Sequence, residues 1–245
     1  MNSCYMRKVV RHPENIEDLL VEQNKAVLEE VRKKYTVTFE NHDEPYGESF
    51  TINQSATIYL NSSDMTNATI AHELLHIWFK TLGGFTSNHI YLASVNLPKQ
   101  SKIFSKQLCD HIGNCMEHHK FYPKFLEMGY NPKDFIRNAD KEQSNLLSLK
   151  CLILGRGYQY IGQNVDAFIG NLISIYAHHR PVNYSKHLKV LKRKDEDLFN
   201  LVTEFWYRWD KFDVYNIDPV FNSDYDIYEN FIGDIGEWVS NKIIL

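Results

Sequence analysis

The chain has 245 residues, 43% of them apolar and 24% charged, enough for one large domain or for a catalytic domain with a helical extension. Its 27 basic and 31 acidic residues are interspersed and leave a net charge of −4, so neither a dedicated nucleic-acid surface nor a membrane partner is expected. No run approaches the ~18 apolar residues of a membrane-spanning helix, and Met1 to His12 lacks the apolar stretch of a cleaved secretion signal. The cysteines Cys4, Cys109, Cys115 and Cys151 form no Cys-x-x-Cys pair. Free thiols in a reducing cytoplasm are the expectation.

Residues 14–34 carry Ile16, Leu19, Leu20, Ala26, Val27, Leu28 and Val31 at helical spacing, with charges on the other face. Tyr35 to Phe39 alternates β-branched and aromatic residues and reads as a strand. A loop follows over residues 41–48, with Pro45 and Gly47. Residues 49–53 and 56–61 read as a second strand region, interrupted near Gln54-Ser55, with Thr57 to Leu60 as the sheet edge to which a substrate backbone would add. Ser63 or Asp64 is expected to cap a helix over about 66–82, which Gly83-Gly84 terminates.

That helix contains His72-Glu73-Leu74-Leu75-His76. Histidines four apart share one helix face, so both imidazoles can reach a single metal ion. Glu73 lies beside such an ion and not on it, where it can take a proton from an attacking water. The flanks Thr69-Ile70-Ala71 and Ile77-Trp78 are uncharged, which suits a buried catalytic helix.

The stretch Thr69 to Trp78 resembles the extended motif of the zincin metallopeptidases at each of its constrained positions. The short segment before it is similar to the minimal zincins of bacteria and phages, the ImmA/IrrE-like group included. The resemblance implies an α+β fold: a zincin-like metallopeptidase core over 1–138, with a small β-sheet and the motif helix, then a helical extension over 139–245. It also implies Zn2+ as cofactor and a protein or peptide as substrate.

A catalytic zinc keeps three protein ligands and one open position. The continuation Leu82-Gly83-Gly84-Phe85 offers no third histidine, so that ligand is expected on a later helix. The segment Cys109 to His119 is the richest. Read as a helix, it places His111, Asn114 and His118 on one stripe. His118 is the preferred third ligand and Glu117 the runner-up, as in the two-His-one-Glu zincins; His111 and Asp110 remain behind them. His111, Asn114 and Tyr122 are candidates for orienting a ligand or polarising a carbonyl, with Tyr130 a further electrophile.

Residues 85–100 read as a loop, and 101–120, 121–128, 142–154, 164–179, 194–212 and 225–243 as helices, with a break at Phe121-Tyr122-Pro123. His42, His89 and His187 read as loop or surface residues, and His178-His179 as cations at a helix C-terminus. Phe205, Trp206, Tyr207, Trp209 and Phe212 read as core, and Asp224, Asp226, Glu229 and Asp234 as a solvated acidic face. The function expected is hydrolysis of peptide bonds by a zinc-activated water with Glu73 as general base. The alternatives are a zinc amidohydrolase on a non-peptide amide, a zinc-binding regulatory protein with a decayed site, and a metal-free helical interaction protein.

Overall fold

The computed structural model describes residues 16, 20–61, 65–136, 144–179, 181–218 and 223–245. Over these the chain is mixed α and β, mostly helical, with two small three-stranded sheets. It forms two compact units, Met1–Gly83 with Phe121–Arg137, and Gly84–Lys120 with Asn138–Leu245. The expected boundary at 138/139, Cys4 and the proposed caps Ser63 and Asp64 lie outside the described residues. No helix among the described residues is long and apolar enough to cross a membrane.

The first unit opens with α1 (Glu22–Arg32), which buries Val27, Leu28 and Val31 along one face. Strands β1 (Thr36–Asn41), β2 (Glu48–Ile52) and β3 (Ser55–Leu60) follow. The Gln54-Ser55 interruption is a tight reversal, because Ile52 pairs with Ser55 across it. Asn53 takes φ 52°, the left-handed region that Asn tolerates better than most side chains.

The sheet order is β1-β3-β2, with β1 parallel and β2 antiparallel to β3. This corrects the expected edge at Thr57 to Leu60. The hairpin folds β2 onto one side of β3 and β1 occupies the other, so β3 is central and its backbone groups are taken on both sides. The free edge beside the motif helix belongs to β2. Period-two burial of Ala56, Ile58 and Leu60 sets the inner face of β3.

The motif helix is α2 (Asn67–Thr81), and its cap is Thr66 and not the expected Ser63 or Asp64, because the helix starts at Asn67 and the Thr66 side chain accepts from the Thr69 N–H at 3.1 Å. It packs on α1, β2 and β3. Trp78 Nε1 donates to Glu30 Oε2 at 2.8 Å, and Lys124 Nζ lies 4.7 Å from the Trp78 ring centroid. Asn24 is buried and satisfied: its amide donates to the Asn67 carbonyl, and its oxygen accepts from Tyr130 Oη.

The second unit holds α3 (Thr86–Ser94), most of α4 (Lys106–Glu127), α5 (Leu146–Cys151), α6 (Gly162–Tyr176), α7 (Ser185–Lys194), α8 (Glu196–Lys211) and α9 (Asp224–Trp238). A small sheet joins β4 (Gly155–Arg156), β5 (Gln159–Tyr160) and β6 (Ile243–Ile244). Several expectations change here. The 85–100 segment holds α3 over Thr86–Ser94, and Gly113 lets its first turn pack closely on α4. A Cβ at Gly113 would stand 2.7 Å from the Ser87 nitrogen.

Helix α4 is continuous through Pro123. A proline removes one N–H, and the buried Phe121 and Phe125 on either side hold the turn in place. The expected helix to 243 stops at Trp238, and Ile243–Ile244 pairs with β5 instead. The basic helix α7 falls in the gap between the expected helices 164–179 and 194–212; its two buried residues, His187 and Leu191, form too thin a stripe to signal it. Phe205, Trp206 and Trp209 are core, with Phe205 stacked on Phe231 at 4.1 Å, while Tyr207 is exposed. Asp224 is buried, and not part of a solvated face.

Thr66→Ala removes the one side-chain cap of α2 and is expected to cost about 1 kcal/mol. A urea unfolding curve unchanged from wild type would contradict this role of Thr66.

Candidate metal centre

Burial on α2 extends nearly all round the helix, taking in Ala68, Ile70, Ala71, Leu74, Leu75, Ile77, Trp78 and Phe79. The polar motif residues are set into this apolar surface. His72 and His76, one turn apart, bring their Nε2 atoms to 3.2 Å and share a hydrogen bond. Two ligands of a tetrahedral zinc at ~2.0–2.1 Å stand about 3.3 Å apart, so the imidazole pair is spaced for one ion. Phe121 and Phe135 wall the pair: Phe121 lies 5.7 Å from the His72 ring and 4.8 Å from His76, and Phe135 lies 5.0 Å from His72.

Burial, and to a lesser degree the neighbouring His76, pushes His72 well below its ordinary value, against a hydrogen bond to the Phe135 backbone. The ring is therefore neutral near pH 7, the form that ligates metal.

Phe121 belongs to α4, and His118 precedes it by one turn on the same unbroken helix. The helix backbone thus carries His118 to the His72–His76 pair. The three imidazoles place ligand nitrogens within 4.8 Å of one another, the sole metal-capable group of His, Cys, Asp or Glu among the described residues. His118 is buried. Three imidazole nitrogen donors beside an apolar wall can hold a divalent metal ion.

Glu73 faces the sheet. Its side chain is enclosed, at 6% exposure. Burial pushes its carboxyl up, with His76 and a hydrogen bond from Ser49 on β2 pulling the other way. Gly47, just before β2, is packed so closely that a Cβ there would lie 3.0 Å from Thr69 Cγ2 and 3.1 Å from Glu73 Oε1. The 41–48 loop therefore rests on the motif helix, and Gly47 and Ser49 hold the carboxylate in position. Neither residue stands out in the sequence, because the contact exists only once the hairpin has folded onto α2.

The other candidates have different surroundings. Glu117 accepts from Thr86 Oγ1 at 2.7 Å. His111 bonds Ser174 Oγ at 2.8 Å and the Gly170 carbonyl on α6, and Asn114 is exposed. Tyr122 packs its ring on Phe135, and Tyr130 donates to Asn24. Asp110 pairs with Lys106 on the surface. Burial pushes the Cys115 thiol up to about 12, so no thiolate forms there unaided.

The remaining histidines are more structural than their sequence context implied. His42 and His187 are buried, and His89 pairs with buried Asp224 at 3.1 Å. His179 is pushed down to about 4 by burial and by neighbouring His119 and His178, so it is neutral near pH 7 and not a helix-capping cation.

Two outcomes are expected. Protein purified without chelator should carry about one divalent metal ion per chain by elemental analysis, lost in His72→Ala, His76→Ala and His118→Ala; wild type that takes up none when metal is supplied would rule out the site. His179 makes stability fall in acid, since the unfolded chain protonates it near 6.5 and the folded chain only near about 4. The stability it contributes is whole above pH 6.5 and is lost on the way down to about 4. Urea titrations at pH 7 and pH 5 should therefore show a smaller acid loss for His179→Gln than for wild type, and equal losses would contradict the assignment.

Comparison of the chain with protein-family models, with curated proteins and with solved structures gives no match.

Proposed function

We propose that this protein is a zinc-dependent metallopeptidase with a zincin-like core. The observation that carries the reading is a buried carboxylate, Glu73, on the same helix as two of three clustered histidines. A site that merely binds metal needs no carboxylate beside its ligands, whereas one that activates a water needs a base there.

His72, His76 and His118 would hold the zinc. The metal supplies Lewis acidity, lowering the pKa of a water and polarising a carbonyl. Glu73 takes the proton from the attacking water and returns it to the leaving amine. Gly47 and Ser49 keep its carboxylate from swinging away. Phe121 and Phe135 pack against the His72 ring, and burial there favours its neutral form.

Strand β2 supports a peptide over a non-peptide amide as substrate. It is an edge strand of the sheet among the described residues and packs against α2, the position at which an extended chain would add. Phe50 and Ile52 are exposed along it, an apolar surface that such a chain would cover. The protonated, buried thiols of Cys109 and Cys115 fit a cytoplasmic setting, which we include in the proposal.

Zinc-loaded wild type is expected to cleave members of an extended-peptide library read by mass spectrometry. Glu73→Gln should keep its zinc and lose about 100- to 10,000-fold in rate. A wild type that cleaves nothing, or a Glu73→Gln variant with undiminished cleavage, overturns the reading.

A further inference from the structure

A second buried polar cluster lies inside the second unit, where α3, α4 and α9 meet. Glu117 of α4 is buried and takes the Thr86 hydroxyl at 2.7 Å, and Thr86 itself is fully enclosed. Asp224, at the start of α9, is also enclosed. It accepts from the Phe85 N–H at 3.4 Å and pairs with His89 Nδ1 at 3.1 Å. The first turn of α3 is thus gripped by two carboxylates from two helices.

The Tyr228 hydroxyl is wholly buried, has no hydrogen-bond partner among the described residues, and feels the charge of both Asp224 and Glu117. Gly113 sits one turn before Glu117 on α4, and its missing side chain lets Ser87 come into contact. Gly113 and Glu117 therefore present one stripe of α4 to consecutive residues of α3, Ser87 and Thr86.

A carboxylate is costly to bury, and the Thr86 hydroxyl holds Glu117 in the interior. The sequence places His118 immediately after it, about 100° further round the helix. A bond that pins Glu117 fixes the rotation of α4 about its axis at that point, and with it the direction in which His118 projects.

We propose that Glu117, held by Thr86, is a positioning residue that aims His118 at the metal site, and is not itself a ligand. This rests on the zinc reading above. The interaction differs from the usual outer-sphere partner, which hydrogen-bonds the ligating ring directly. Here the hold is on the neighbouring residue and acts through the helix backbone.

The test is zinc affinity, by competition with a chromophoric chelator, on the full-length chain, with the apo-protein melting temperature measured alongside. Thr86→Val keeps the shape and removes the donor. It should weaken zinc binding about 10- to 100-fold, the range for lost outer-shell support, while still reaching wild-type stoichiometry at saturation. Thr86→Ser should restore affinity, and Glu117→Ala should match Thr86→Val.

Thr86→Val with wild-type affinity, even with a lowered melting temperature, reduces the pair to packing and overturns the inference alone. Glu117→Ala that takes up no zinc at saturation, while Thr86→Val does, makes Glu117 a ligand and overturns it too. Wild type that binds no zinc overturns both this inference and the metallopeptidase reading.

Discussion

A carboxylate and two imidazoles on α2 have to be solvated by protein, because the helix around them is built from Ile70, Ala71, Leu74, Leu75, Ile77, Trp78 and Phe79. That constraint accounts for much of the first unit. Ser49 supplies a donor to Glu73, Gly47 leaves room for the hairpin to bring Ser49 there, and the imidazoles bond to one another. The same desolvation that makes these groups costly moves Glu73 up and His72 down. Both shifts run toward what acid–base chemistry on a metal requires, a base that titrates closer to neutrality and a ligand that stays unprotonated.

Helix α4 answers a second constraint. It carries, within one turn, His118 of the three-histidine group and Phe121, whose ring packs on His72 and His76. A helix can do this only if its rotation is held. Gly113 and Glu117 contact α3 along one stripe, while Trp209 donates to the Met116 carbonyl from α8. Polar and close-packed contacts thus surround the turn that carries His118, beside the apolar side chains that α4 buries.

Much of the candidate site was legible in the chain. His72, Glu73 and His76 follow from local spacing, since an α-helix puts residues four apart on one face whatever surrounds it. His118 is preferred among several donors because it shares a stripe with Asn114 and because imidazole is a good zinc ligand, yet its stripe-mates face elsewhere: His111 bonds Ser174 of α6 and Asn114 is exposed. The periodicity was right as geometry but did not identify neighbours, because a stripe says which residues align and not which helix they will meet. The same limit explains Asp224, read as a solvated acid and found buried against His89 and the α3 N-terminus.

What the sequence by itself determined are properties set within a turn or two of chain: the motif helix, the β2–β3 reversal, the aromatic core of α8 and the uncharged setting of Glu73. Only the tertiary structure decided that β3 is central and β2 the edge, that α4 runs unbroken through Pro123, that residues 86–94 are helical, and that Gly47, Ser49 and Thr86 touch the buried carboxylates Glu73 and Glu117. Each of these depends on partners far away in the chain. Strand order, the tolerance of a helical proline and the burial of a charge are decided by what packs against them, and local propensity carries no record of that.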